Sequence, residues 1–349
     1  MFKRLSSLLL ALLFISGPAL AQRQVIDQLN RTVTLPDRID RAVVLQHQTL
    51  NLLVQLNALP QVVGVLSSWQ KQLGPRYLRL APQLAKMPMP GDLTSVNIES
   101  LLALRPQVVF VANYAPPAMI SQIERAGIPV VAVSLRHEDA AQARKINPQL
   151  KDEERAYNLG LQEGIRLIGK VMNRQAGAES LIHDTFDQRA LVATRLRDLP
   201  QSERQRVYIA NPNLTTYGAG KYTGLMIQHA GAVNVTAREV TGYRQVSIED
   251  VMRWNPQVIF VQERYPQVVA QILHSPQWQS IDAVKQHRVW LMPEYAKAWG
   301  YPMPEAMALG ELWMASKLYP QRFKDIDINQ RVDAWYHRYY RTAWSQEAE

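Results

Sequence analysis

Residues 96–111 read VNIESLLALRPQVVFV and residues 246–261 read VSIEDVMRWNPQVIFV, with eight of the sixteen aligned positions identical. In each copy a glutamate, Glu99 or Glu249, stands seven residues before a proline, Pro106 or Pro256, that opens a β-branched and aromatic run. A capping-type residue, Asn97 or Ser247, lies just ahead of each glutamate. This pattern is that of a short capped helix feeding a buried strand. The copies lie about 150 residues apart, too long a period for a solenoid, whose units run to roughly 20–50 residues. The repeat therefore predicts two lobes of similar build.

Outward from each copy, apolar strand candidates alternate with helical stretches. They fall at 41–45, 62–66, 108–112 and 130–134 in the first half, and at 206–210, 258–261 and 288–291 in the second. Such alternation predicts an α/β fold in which each lobe is a mostly parallel sheet flanked by helices, with a ligand cleft between the lobes. Residues 152–199 contain no proline, and Leu161, Ile165, Ile168 and Met172 recur there at helical spacing. The expectation is one long backbone helix, kinked if anywhere near Gly177, joining a first lobe at 22–151 to a second at 200–349. A helix in place of a strand hinge would keep closure small. At the far end, WYHRYYRTAW at 335–344 reads as an amphipathic helix packed on the second lobe.

The first residues carry Lys3 and Arg4, an apolar run at 8–15, a Gly17-Pro18 breaker and small residues at Ala19 and Ala21. That is a secretory signal peptide over 1–21, cleaved after Ala21; its apolar run is well short of the ~20 residues of a membrane span. No cysteine is present, which excludes disulfides, thiolate metal sites, a cysteine nucleophile and a lipid-modified cysteine. The expected location is the periplasm, free of a lipid anchor and as a monomer. Removing Lys3 and Arg4 takes the 39 basic residues to 37 against 30 acidic ones, a net of +7. Export and the absence of a basic tract turn that excess away from nucleic acid and toward an anionic small ligand. Neither HExxH nor GxSxG occurs, so an exported enzyme is disfavoured.

Ligands of parallel α/β sheets sit beyond the carboxyl ends of the strands. In the first lobe that rule selects His47, Gln48, Trp69, Tyr114, Arg136 and His137, bordered by Asp92. In the second it selects Tyr217, Lys221, Tyr222, Tyr243, Arg244, Glu263, Arg264, Tyr265, Trp299 and Tyr301. Arginines that pair with carboxylate or catecholate oxygens, set among aromatics that stack, suit a large anionic metal chelate. An iron-siderophore is the first expectation, with no cofactor of the protein's own. A bare transition metal held by His47, His137 and Glu263 is the nearest rival. An oxyanion such as molybdate is another; it would need amide, hydroxyl and histidine donors, and a cleft narrower than a chelate would favour it.

Taken in order, the signal segment, NRTVTLPDRIDRAVVL at 30–45, the first IE…PQV segment, the connecting helix, GAVNV at 231–235 and the second IE…PQV segment resemble one family. It is that of the helical-backbone substrate-binding proteins of ABC importers for siderophores, haem, cobalamin and metals. The resemblance spans the mature chain and implies capture without catalysis. In that family one glutamate on each lobe docks into arginine pockets of the inner-membrane permease dimer, and the matching positions are Glu99 and Glu249. A first-turn glutamate also compensates a helix dipole, and the two roles are compatible.

Overall fold

The computed structural model describes residues 21–344, so the expected signal peptide lies, apart from Ala21, outside the described residues. An antiparallel hairpin comes first, β1 (Gln22–Ile26) with β2 (Thr32–Pro36). Strands β3 (Ala42–Val44), β4 (Val62–Val65), β5 (Val108–Ala112) and β6 (Val130–Val133) then form an all-parallel sheet in the order β4-β3-β5-β6. Between and after them run α1 (His47–Gln55), α2 (Trp69–Leu73), α3 (Ile98–Ala103), α4 (Pro117–Arg125) and α5 (Ala140–Ala143).

Two helices follow, α6 (Glu153–Val171) and α7 (Gln175–Arg195). In the second half, β7 (Arg206–Ala210) precedes a small antiparallel pair, β8 (Thr215–Tyr217) with β10 (Tyr243–Gln245), that brackets α8 (Tyr222–His229) and β9 (Val233–Asn234). Then come α9 (Ile248–Trp254), β11 (Val258–Val261), α10 (Pro266–His274), α11 (Asp282–Lys285), β12 (Val289–Leu291), α12 (Glu311–Leu318) and α13 (Ile328–Trp335). The second sheet is also all-parallel, with β9-β7-β11-β12 as neighbours. Placing β5 on β11, as the sequence repeat requires, makes every strand of one sheet correspond to a strand of the other in the same order. The repeat is a repeat of topology.

Its details match as well. Asn97 accepts from the Ser100 N–H ahead of β5, and Ser247 forms a capping box with Asp250 ahead of β11. The residue before each proline, Arg105 or Asn255, sits at positive φ, 45° and 42°. The proline bars the αR conformation to its predecessor, so the helix ends there and the chain turns into the strand.

The segment 152–199 departs from expectation. Instead of one helix it is an antiparallel hairpin of two, broken at Met172 to Arg174, while Gly177 continues α7 without interruption. Asn173 adopts φ 56°, and the Arg174 N–H donates to the Gly169 carbonyl at 2.7 Å. An asparagine in the left-handed position just past a helix is a stop signal. Ion pairs Arg166–Glu179 at 2.7 Å and Arg189–Glu154 at 2.7 Å run down the hairpin. Both helices span the lobes: α7 runs from the first, where Arg174 donates to the Asn57 carbonyl at 3.3 Å, to the second, where Arg195 pairs with Asp325 at 2.6 Å, and α6 runs beside it. Helix α6 meets the first lobe where Gln28 donates to the Gly160 carbonyl at 3.0 Å, and the second where the Tyr157 hydroxyl donates to the Gly220 carbonyl at 2.8 Å. Gly160 permits this, because a Cβ there would lie 2.1 Å from the Arg136 Cα.

One hydrophobic cluster runs through both lobes, from Val25 to Tyr340, and a smaller one around Val251, Ile259, Ile272 and Trp278 covers the other face of the second sheet. The carboxyl-terminal helix, expected on the second lobe, also clamps the first. The Tyr340 hydroxyl lies 2.9 Å from the Asn51 Oδ1 and 2.8 Å from a Glu305 oxygen, and Arg341 binds the Val54 carbonyl. Glu305 is fully buried and also accepts from Asn51 at 2.7 Å, from Gln55 at 2.7 Å and, as an ion pair, from Lys297 at 3.3 Å. Removing one partner of a buried ion pair leaves its mate uncompensated. Glu305→Ala is therefore expected to destabilise the protein by about 3–5 kcal/mol, and Glu305→Gln by less, as read by chemical denaturation.

Candidate functional site

The parallel strands of the two sheets end toward each other, and their carboxyl-terminal loops interlock. His47 begins α1 directly after β3, and no side chain caps that helix. The first-turn N–H groups of a helix have no partner within it, so here they are left for another acceptor. The His47 ring is 6 % exposed and packs edge-on against Trp299 from the second lobe, centroids 5.5 Å apart. Its Nδ1 is buried without a hydrogen-bond partner. Burial first, and the Arg264 cation second, depress its pKa to about 3 despite the pull of Asp92. The imidazole is thus neutral at neutral pH and can donate one hydrogen bond from whichever nitrogen holds the proton. Gln48, also buried, has its Oε1 unpaired.

Arg264 follows β11 and reaches across the cleft. Its Nε donates to the Gln262 Oε1 at 3.1 Å and its Nη1 to the Gln72 carbonyl of the first lobe at 3.2 Å. The guanidinium sits 5.1 Å from the Tyr265 ring centroid and 5.6 Å from that of Trp299. Nη2 makes no hydrogen bond among the described residues. Trp299 is held in turn by its indole N–H, which donates to Glu263 at 3.3 Å. Burial raises the pKa of Glu263, whose other oxygen has no partner. Asp92 lies at the first-lobe rim. Burial opposes its charge, but hydrogen bonds from Ser68, Ser67 and the Leu93 N–H outweigh that and hold its pKa below the usual carboxylate range.

Toward the other end, Tyr301 is 6 % exposed, with the Lys221 Nζ 5.1 Å and the Arg136 guanidinium 6.0 Å from its ring centroid. Half-buried Tyr114 stands close enough that burial and Tyr301 both raise its pKa. Tyr217 packs on Tyr243 at 4.8 Å, and its hydroxyl accepts from Gln262 at 3.4 Å. Gly300 must be glycine: it has φ 81°, and a Cβ would come within 2.9 Å of the Tyr217 ring.

His47, Gln48, Tyr114, Tyr217, Lys221, Arg264, Tyr265, Trp299 and Tyr301 thus gather at the interface, with Tyr243 at its edge. Four predicted residues do not serve the cleft as expected. Tyr222 points the opposite way, its hydroxyl donating to Glu311 at 2.8 Å, because it lies inside α8 and not before it. Arg244 is exposed on β10, with no polar side-chain contact among the described residues. Trp69 packs into the hydrophobic core. His137 pairs with Glu163 at 2.9 Å on an open flank. His47, His137 and Glu263 therefore do not converge, and no group of three metal-ligating side chains occurs among the described residues. The bare-metal rival loses its ligand set. Sequence reading missed Asn51, Gln55, Glu305 and Tyr340. The signal was present in α1, where polar Asn51 and Gln55 recur at helical spacing within an apolar helix.

The cleft walls meet at ring contact and through a direct Arg264–Gln72 hydrogen bond, closer than a multi-ring chelate would require. Two like-built parallel sheets that face each other across such an interface define a two-lobed binding protein. The chain belongs to the periplasmic binding protein family, whose match covers residues 43–296, and specifically to the helical-backbone receptors of ABC importers. It is 57 % identical over 346 residues, 99 % of each chain, to the molybdate-binding protein MolA of Haemophilus influenzae. The structure of molybdate-bound MolA superposes with a TM-score of 0.91 at 58 % identity, covering 93 % of this chain and 99 % of that one. A periplasmic solute-binding protein of Veillonella parvula (TM-score 0.74, 24 % identity, 94 % and 95 % covered) shares the fold. So does nickel-bound CeuE of Helicobacter pylori (0.72, 18 %, 93 % and 98 %).

NMR titration of the ligand-free protein should find the His47 imidazole neutral down to about pH 4; a midpoint near the ordinary 6.5 would show an open, hydrated site.

Proposed function

We propose that this chain is a periplasmic receptor that captures a tetrahedral oxyanion of the molybdate type between its lobes and delivers it to an ABC permease. The observation that carries this reading is the uncapped start of α1, bearing the buried, unpartnered Nδ1 of His47, close enough to the Arg264 guanidinium to feel its charge. Backbone N–H groups at a helix start, a neutral histidine and a guanidinium are the donors an oxyanion needs, and a water-poor site makes each count for more. The likeness to molybdate-binding MolA supports the same class. It turns the reading away from an iron-siderophore, and the narrow contact between His47 and Trp299 gives the steric reason. The metal of the cargo would be the centre of an oxyanion, and the protein needs none of its own.

Delivery calls for a docking surface, and Glu99 and Glu249 supply one. Each is exposed in the first turn of its helix, at equivalent places in the two lobes, and neither makes an ion pair among the described residues. Two such carboxylates suit charge-assisted contacts with both subunits of a permease.

Calorimetric titration with sodium molybdate should show one-site binding to the wild type and a loss of about tenfold or more in affinity for Arg264→Ala, the worth of a hydrogen bond from a charged group. Tight binding of a ferric chelate with no response to molybdate would reject the reading. The double variant Glu99→Ala, Glu249→Ala should bind molybdate normally and abolish uptake in cells; normal uptake would remove the docking assignment.

A further inference from the structure

The cleft holds a second set of unsatisfied donors that the oxyanion site does not use. Arg136, on the loop after β6 in the first lobe, is 1 % exposed. Its Nε binds Glu138 and its Nη2 donates to the Gln142 and Lys145 carbonyls at 3.2 and 3.0 Å, yet its Nη1 is buried with no partner. The Tyr301 hydroxyl, from the second lobe, is likewise buried and finds no partner of good hydrogen-bond geometry, although it stands near Arg136: burial raises its pKa and the Arg136 guanidinium holds it back. Lys221, also second-lobe and 2 % exposed, spends one N–H on the Ile146 carbonyl and has two to spare. Arg136 and Lys221 flank the Tyr301 ring, at 6.0 Å and 5.1 Å from its centroid. Such an arrangement is costly, since a buried donor left unpaired forfeits its hydrogen bonds to water.

We propose that Arg136 Nη1, the Tyr301 hydroxyl and Lys221 Nζ form an inner subsite for a small anion that stitches the lobes together beside the oxyanion site. Glu138, 3 % exposed, pairs with Arg136. Burial and the Arg136 cation lower the Lys221 pKa to about 7, so an anion held beside it favours the protonated amine. The near-complete burial of all three residues restricts the occupant to a small anion. Because the donors come from both lobes, an anion held there favours the closed form and so raises affinity for any ligand that also needs closure. This consequence rests on the cleft being the ligand site; the subsite itself does not.

The test uses bromide as probe. Crystals of the full mature protein grown in sodium bromide should show an anomalous bromine peak within hydrogen-bonding reach of Arg136 Nη1 and the Tyr301 hydroxyl. Tyr301→Phe, which removes one oxygen and little packing, should abolish that peak or weaken bromide binding by about tenfold, the worth of one hydrogen bond to a charged group. Molybdate titrations should give a several-fold higher affinity in bromide than in gluconate for the wild type and equal affinities for Tyr301→Phe. Absence of bromine from the subsite, or an identical peak in Tyr301→Phe, would overturn the inference while leaving molybdate binding by the wild type intact. Bromine at the subsite of a protein that ignores molybdate would instead sustain the subsite and remove the oxyanion reading.

Discussion

A carboxylate sealed from water fixes how the two lobes face each other. Glu305 draws Asn51 and Gln55 of α1, Tyr340 of the terminal helix and Lys297 of the Trp299 loop onto its two oxygens. Each of those groups lost water on burial, so each gains by pairing here, with only the Oε1 of Gln55 left over in this network. The consequence appears one helical turn away. The same α1 that is pinned by Asn51 and Gln55 presents His47 at its first turn, and the same loop that supplies Lys297 supplies Trp299. The contact between His47 and Trp299 is therefore set by a network that touches no ligand.

This arrangement assigns separate tasks to separate parts of one interface. The hydrogen-bonded core behind the cleft sets the lobe geometry. In the reading we propose, the uncapped helix start, His47 and Arg264 form the donor face. Outside, the two copies of the internal repeat present Glu99 and Glu249 in equivalent surroundings. A binding protein that must shut on a small anion and then be read by a two-subunit membrane partner needs those three properties, and a doubled α/β fold supplies the symmetry for the last.

Much of the architecture was legible because periodicity and punctuation report local structure directly. The IE…PQV repeat named both central strands and the helices that feed them, and Asn97 and Ser247 proved to be their caps. The break in the connecting segment was written as well, in Asn173 and not in Gly177: glycine within a well-packed helix is tolerated, while asparagine at a helix end adopts the left-handed turn. Less of the site could be read. Residues after a strand are reliably near a cleft, but the direction of a side chain depends on whether the next helix has already begun, which turned Tyr222 away. Ligand size was the least legible of all. Arginine and tyrosine counts favoured a chelate, whereas the width of the cleft follows from long-range pairings such as Arg264 with Gln72, separated by 192 residues, that no local pattern announces.

The central claim, that a small oxyanion is gripped where α1 begins, is tested most directly by a molybdenum anomalous difference map from crystals grown with molybdate. The account predicts a single peak between the His47 ring, the first-turn N–H groups of α1 and the Arg264 guanidinium. A peak lying outside the interface, or one reached by neither His47 nor Arg264, would contradict it.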